Sequence, residues 1–366
     1  MSRNIGYATP DKNTPLAPFT FDRREVGPED VRIDIAYCGV CHSDVHQARD
    51  EFGGALATLW PCLPGHEIAG TVAEVGSQVT RYAVGDRVGV GCLVYWGDES
   101  QRGVSEEQYQ NPPAIFTYNG QDPDAGDVTL GGYSDEIVVN EHFVLRIPDA
   151  IPLEQAAPLL CAGVTTWSPL AHWNIGPGSV VAVAGLGGLG HLAVQLAKAR
   201  GADRVIALTT SPDKADAVRA LGADDVIDMT DEDAVEAQAS SIDFVLSTIP
   251  TPFDMKPYLS LIRHDGALVT VGMLEPIHEE GIDFGFVSMN RITIAGSLIG
   301  SIAETQEVLD FAAEHGIAAE VKVIPVQQVN EAFDEMVAND IRFRFVIDSS
   351  TLDADRDSAA ELPASQ

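Results

Sequence analysis

Lysine is nearly missing from this chain. Among 366 residues only five occur, Lys12, Lys198, Lys214, Lys256 and Lys322, and the 22 basic residues face 55 acidic ones, for a formal net charge of −33. A surface this negative repels phosphate backbones and anionic headgroups, so neither a nucleic-acid nor a membrane partner is expected. Two readings of the acidity stand side by side: an ordinary acidic soluble protein, or one adapted to concentrated salt, which screens repulsion between carboxylates. Long apolar runs are also absent, which excludes a membrane-spanning helix. The opening residues Met1-Ser2-Arg3-Asn4-Ile5-Gly6 carry no apolar signal region, so a cytoplasmic location is expected. Cysteine is sparse and odd in number (Cys38, Cys41, Cys62, Cys92 and Cys161), which argues against a disulfide framework and for metal or free-thiol roles.

What is present is core material. Hydrophobic residues make up 45% of the chain, and its length suggests two domains. From about Arg32 to Leu145 short strand-like runs are broken by Gly and Pro, as in Val72-Ala73-Glu74-Val75-Gly76, which predicts an irregular, mostly β domain. Residues 95–128 are polar and without hydrophobic period, and read as a loop or excursion. After Ser179 the pattern changes to strand–helix alternation. Apolar strand candidates at Val180–Ala184, Arg204–Leu208, Asp225–Asp228, Asp243–Ser247, Ala267–Val271 and Ile292–Ala295 are mostly separated by helical stretches such as His191–Arg200 and Pro212–Leu221. Such alternation predicts an α/β, doubly wound parallel sheet. Ala303–Gly316 reads as a further helix, Phe343–Ile347 as a strand, and 351–366 as a disordered acidic tail.

Between the first of those strands and its helix lies Gly185-Leu186-Gly187-Gly188-Leu189-Gly190, a G-x-G-x-x-G pattern. In that context the first glycine permits the turn, the second lets backbone approach a pyrophosphate, and the third lets helix and strand pack closely. The next strand ends in Thr209-Thr210-Ser211, with Lys214 beyond, where a carboxylate would bind a ribose 2′-OH. Hydroxyls and an ammonium suit a 2′-phosphate, which favours NADP(H) over NAD(H). Asp213 weakens that argument, and the same hydroxyls could merely cap a helix.

Metal-type residues cluster at Cys38-Gly39-Val40-Cys41-His42-Ser43-Asp44-Val45-His46, at Pro64-Gly65-His66-Glu67 and at Leu160-Cys161-Ala162-Gly163. Singly, each has an ordinary structural reading. Together with Gly131-Gly132-Tyr133-Ser134, Ala156-Ala157-Pro158-Leu159-Leu160 and Gly296-Ser297-Leu298-Ile299-Gly300-Ser301, they make the chain resemble the zinc-containing medium-chain alcohol dehydrogenases, in particular the cinnamyl-alcohol-dehydrogenase-like subgroup, from about Ile33 to Ile347.

The resemblance implies a GroES-like β-rich domain (1–152, completed by 300–350), a Rossmann domain (153–299) and an active site in the cleft between them. It implies that Cys41, His66 and Cys161 hold a catalytic zinc, with Glu67 able to enter the coordination sphere. Asp44 would orient His66, Ser43 and His46 would relay a proton, and His42, Thr165, Thr248, Gly272 and Ser297 would line the cofactor site. Cys38, Cys62 and Cys92 would be non-ligand thiols. Trp60 and Leu298 are candidate substrate-pocket residues, with core packing the alternative. The expected reaction is hydride transfer between NADP(H) and primary alcohols or aldehydes, by a homodimer. The rivals are a zinc-free quinone or enone reductase on the same fold and a non-catalytic NADP(H)-binding protein. Family members commonly carry a second, structural zinc on four closely spaced cysteines. No cysteine lies between Cys92 and Cys161, so one zinc is expected, with the 95–128 lobe mobile or held by packing of Tyr95, Trp96 and Tyr109.

Overall fold

The computed structural model describes residues 3–121, 126–211, 215–272, 282–338 and 344–364. The chain divides into two compact units, Met1–Cys161 with Gly300–Gln366, and Ala162–Ile299.

The first unit is built on a seven-stranded sheet. Its strands run Val321–Pro325, Arg344–Asp348, Asp30–Gly39, Ile68–Val75, Arg87–Val90 and Leu145–Arg146, with Glu136–Asn140 also paired to Asp30–Gly39. Alternating apolar residues such as Ile33, Ile35, Val72, Val88 and Val139 turn inward and form one buried cluster, as half-buried strands require. The register pairs Cys38 with Ile68 and Gly39 with Val346. The ends of three strands therefore meet beside residues 40, 67 and 344–346.

Leu153–Leu160 joins this unit, although the sequence placed the junction at 152. Ala156, Ala157, Leu159 and Leu160 are buried, and the last turn packs on the strands Asp30–Gly39, Ile68–Val75 and Arg87–Val90. Burial of that turn fixes its C-terminal neighbour, Cys161.

The second unit carries a six-stranded, all-parallel sheet in the order Asp225–Asp228, Arg204–Thr209, Val180–Ala184, Ile242–Ser247, Ile262–Thr270, Thr293–Gly296. Its central strands are continuous apolar runs because both faces are covered, as in Val181-Ala182-Val183-Ala184. The expected strands and the helices Gly190–Ala199 and Ile302–His315 are present within a few residues of their predicted bounds.

Two expectations need correction. The tail is ordered through its described residues: Ser349–Asp355 forms a 3-10 helix, Leu352 is buried, and Ala360–Glu361 adds a parallel strand to Ala17–Asp22. Its charges find partners that composition cannot reveal, Tyr7 Oη donating to Asp355 at 2.9 Å and Arg356 donating to Asp135 at 2.8 Å. The lobe, read as a loop, holds a two-stranded ribbon of Leu93–Tyr95 with Ile115–Phe116. Trp96 packs against His142 and Phe143, each ring centroid 4.9 Å away, and the Arg102 guanidinium lies over its indole. Tyr109, expected to pack there, is 52% exposed.

Candidate active site

Three segments that are distant in sequence bring four donors together. Cys41, His66, Glu67 and Cys161 are all buried, and their ligand atoms lie within 4.8 Å of one another. Cys41 is the N-cap of the helix His42–Ala48, which begins directly after the long strand Asp30–Gly39. His66 and Glu67 precede Ile68, the residue paired with Cys38. The backbone bond from Gly39 N–H to the Glu67 carbonyl, 2.9 Å, locks these two strand ends side by side.

The donors suit a divalent cation. The two thiols are coupled: the hydrogen bond from Cys161 holds Cys41 well below the usual thiol range, and that bond, with Cys92 nearby, pushes Cys161 up. Burial pushes the Glu67 carboxyl up to about 7, against the pull of the Arg344 guanidinium that pairs with its Oε1. Glu67 Oε2 is buried without any hydrogen-bond partner. An orphaned carboxylate oxygen beside two thiols and an imidazole is what a tetrahedral zinc site with one exchangeable position offers.

Asp44 is fully buried and accepts from His66 Nδ1 at 3.1 Å, the carboxylate–histidine pairing that the sequence suggested. Ser43 Oγ lies 3.6 Å from Cys41 Sγ. His46 sits one helical turn further on and is partly exposed, with its Nδ1 2.6 Å from Glu51 Oε2. Burial lowers the His42 pKa below the ordinary imidazole value. Trp60 is half-buried.

In the second unit the glycine loop has the expected geometry. Gly185 takes a φ of +85°, and a Cβ on Gly190 would collide with the Gly185 carbonyl oxygen. Nothing lies within 4 Å of where a Gly187 Cβ would stand, which leaves open space over the loop. Thr248 Oγ1 donates to the Gly185 carbonyl at 3.0 Å, and Gly272 packs against the Ile249 carbonyl. Ser297 N–H donates to the Thr270 carbonyl at 3.0 Å. Thr165 and Ser247 are buried with unpartnered hydroxyls, and half-buried Thr270 hides an unpartnered hydroxyl too; Ser247 and Thr270 stand at the carboxyl ends of parallel strands, where doubly wound sheets bind ligands. Thr209 Oγ1 accepts the Ser211 N–H at 2.9 Å, so this hydroxyl closes a turn, while Thr210 is exposed. Leu298 is 38% exposed, and Lys214 lies outside the described residues.

Comparison with known proteins matches residues 27–149 to the alcohol dehydrogenase GroES-like domain and residues 188–314 to the zinc-binding dehydrogenase family. The aldehyde reductase YahK of Escherichia coli is 49% identical over 344 residues, 92% of this chain and 96% of that protein. The chain belongs to the zinc-dependent medium-chain alcohol dehydrogenases. The cinnamyl-alcohol-dehydrogenase-like branch fits it: the cinnamyl alcohol dehydrogenase of Helicobacter pylori, solved with NADP(H), superposes with a TM-score of 0.87 at 38% identity over 95% of this chain and 98% of that one. NADP-dependent alcohol dehydrogenase C 1 of Mycolicibacterium smegmatis is 48% identical over 356 residues, 96% of this chain and 99% of that protein. This dehydrogenase is a zinc- and nicotinamide-dependent oxidoreductase.

Sequence reasoning missed several residues of the site. Arg344 joins Glu67 from a strand some 280 positions away, and nothing local marks it. Tyr133 stands in a family motif that gives it no role of its own, yet its phenol donates to Asp44 at 2.9 Å. Glu51 is the most findable, lying five residues beyond His46, just past the end of its helix, and carrying the right charge.

Proposed function

We propose that this dehydrogenase reduces aldehydes to primary alcohols with NADPH at a single zinc held by Cys41, His66 and Cys161. The observation that carries the reading is the convergence of these three with Glu67, all buried, from distant parts of the chain. A zinc-free quinone or enone reductase has no use for such a cluster, and a non-catalytic binder has none for the Ser43 and His46 hydrogen-bonding groups beside it. The names of the relatives, aldehyde reductase and NADP-dependent alcohol dehydrogenase, support the substrate class and the cofactor.

Zinc, when bound, supplies Lewis-acid polarisation of the carbonyl oxygen, and NADPH supplies the hydride. The chain does the rest. Cys41 and Cys161 provide soft anionic donors. His66 provides a neutral one, oriented by Asp44. Glu67, with its unpartnered oxygen, would be a further donor to the metal. Ser43 stands beside Cys41, placed to pass a proton to the product oxygen. His46 replenishes it, and Glu51, exposed at the rim, exchanges with water. In the second unit the glycine loop and the N-terminus of Gly190–Ala199 take the pyrophosphate. Thr210 and Ser211, where a carboxylate would repel phosphate, favour the 2′-phosphate. Oxidation of NADPH by an aldehyde panel, compared with NADH and with chelator-treated enzyme, tests the proposal; equal use of NADH, or activity that survives full zinc removal, would refute it.

On the same reading the lobe needs no structural zinc, since Trp96, Arg102, His142 and Glu107 tie it in. A homodimer is inferred from the outer strand Thr293–Gly296 and from Phe284 and Met289 on the preceding helix, 65% and 79% exposed. No helix among the described residues is long and apolar enough to cross a membrane. We read the enzyme as cytoplasmic, and its acidity fits either an ordinary acidic protein or one adapted to concentrated salt; light scattering checks the dimer, and activity across a salt series separates the two readings.

A further inference from the structure

We propose that Tyr133 is a positioning residue for the metal centre, its phenol locking the Asp44 carboxylate that orients His66. The inference rests on the zinc assignment above and extends it to a residue from another part of the fold.

Asp44 is 0% exposed. Its Oδ1 accepts from Gly65 N–H at 3.1 Å and from His66 Nδ1 at 3.1 Å. Its Oδ2 accepts from Cys41 N–H at 2.9 Å and from Tyr133 Oη at 2.9 Å. A carboxylate has about four acceptor sites, and these four donors take them, with the Tyr118 phenol a further hydrogen-bonding neighbour. Three of them lie on the two segments that carry Cys41 and His66. Asp44 therefore ties two ligand segments together, and Tyr133 fastens that tie from outside both. The Tyr118 phenol also neighbours Asp44, and its ring centroid lies 5.5 Å from that of His66.

The segment around Tyr133 is itself bound to the loop that ends in His66. Gly131 N–H donates to the Leu63 carbonyl at 2.8 Å, Gly132 N–H to Gly65 at 2.8 Å, and Tyr133 N–H to Pro64 at 3.0 Å. The ring lies against Gly65, where φ is +107° and a Cβ would stand 2.7 Å from Tyr133 Cδ1. Tyr133 is fully buried, so no solvent water stands ready to replace its hydroxyl. Burial and the neighbouring Asp44 push its pKa well up, which keeps the phenol a donor. Without that donor Oδ2 would lose one of the two bonds that fix it. The carboxylate could then turn, and the His66 ring would lose its fixed direction toward the metal.

The experiment measures zinc affinity by chelator competition on folded apo-enzyme at one pH, together with the visible spectrum of the cobalt-substituted form. Tyr133→Phe removes one oxygen atom. It should weaken zinc binding about tenfold, at the lower end of what outer-shell partners of ligating histidines contribute, and shift the cobalt bands. Tyr82→Phe is the control: its buried phenol donates to the Val144 carbonyl, away from Asp44. It should lower the melting temperature and leave zinc affinity unchanged. In an Asp44→Asn background Tyr133→Phe should weaken binding no further. Equal zinc affinity in the wild type and Tyr133→Phe, equal losses in Tyr133→Phe and Tyr82→Phe, or full additivity with Asp44→Asn would overturn the proposal. His66→Ala separates this failure from that of the zinc assignment: if it leaves zinc affinity intact, the ligand set is wrong, whatever Tyr133 does.

Discussion

Arg344 and Glu67 form a buried ion pair inside the first unit, their side chains 3% and 0% exposed. The guanidinium comes from the strand Arg344–Asp348 and the carboxylate from the residue after His66. Removing one member leaves a charge with neither water nor partner, which costs about 3–5 kcal/mol in buried pairs. Arg344→Met should therefore lower the denaturation midpoint markedly. Arg344→Lys should recover only part of the loss, because an ammonium lacks the planar fork. Chemical denaturation of the three proteins, at one zinc concentration, measures both effects.

The His46–Glu51 contact yields a kinetic prediction. If a proton travels from Ser43 through His46 to the rim, His46→Ala should cut the maximal rate by about a hundredfold, the usual scale for a lost acid–base group, with little change in zinc content. Added imidazole should restore part of the rate. Glu51→Gln should act in the same direction and more weakly, since water still reaches the ring. A His46→Ala enzyme with an unchanged rate and pH profile would remove this route.

The lobe supplies a pH dependence. Glu107 Oε1 lies 2.9 Å from His142 Nε2, and Oε2 accepts the Ile302 N–H at the first turn of Ile302–His315. Burial alone would raise this carboxyl, but the bonds from His142 and the backbone prevail and lower it below the ordinary carboxylate value. A depressed folded-state pKa means that the ionised form stabilises the fold. The contribution is complete above the unfolded carboxylate pKa and is lost as pH falls through the lower, folded one. Glu107→Gln should therefore melt below the wild type at neutral pH, and the two curves should converge in acid, below about pH 4. Melting temperatures across the range from about pH 3 to about pH 8 decide it, and a constant gap would count against the linkage.

Legibility in the sequence tracked the range of the interactions. The parallel unit could be read because continuous apolar strands and a glycine loop are local signals; Val180–Ala184 and Gly185 needed no knowledge of anything distant. Cys41, His66 and Cys161 could be named because the family motifs carry them, while spacing alone left each of them ambiguous. Arg344 and Tyr133 escaped because their roles exist only through partners that the strand register brings in from afar. The tail misled for a related reason. Its composition signals disorder, but Asp355 and Arg356 meet Tyr7 and Asp135, which no local pattern announces.

Cofactor choice can be tested at one side chain. Thr209 spends its hydroxyl on the Ser211 turn, so Thr210, exposed at the strand end, is where a charge would act on a 2′-phosphate without disturbing the backbone. A carboxylate there repels the phosphate dianion and can accept from a free ribose 2′-OH. Thr210→Asp should raise the KM for NADPH at least about tenfold, as a loss of about 1.4 kcal/mol requires, while the KM for NADH falls or holds. Because the change is electrostatic and near the surface, the discrimination should shrink as ionic strength rises. Steady-state kinetics with both cofactors at low and high salt give the answer, and a variant that keeps its NADPH preference under both conditions would show that the 2′-phosphate is held elsewhere.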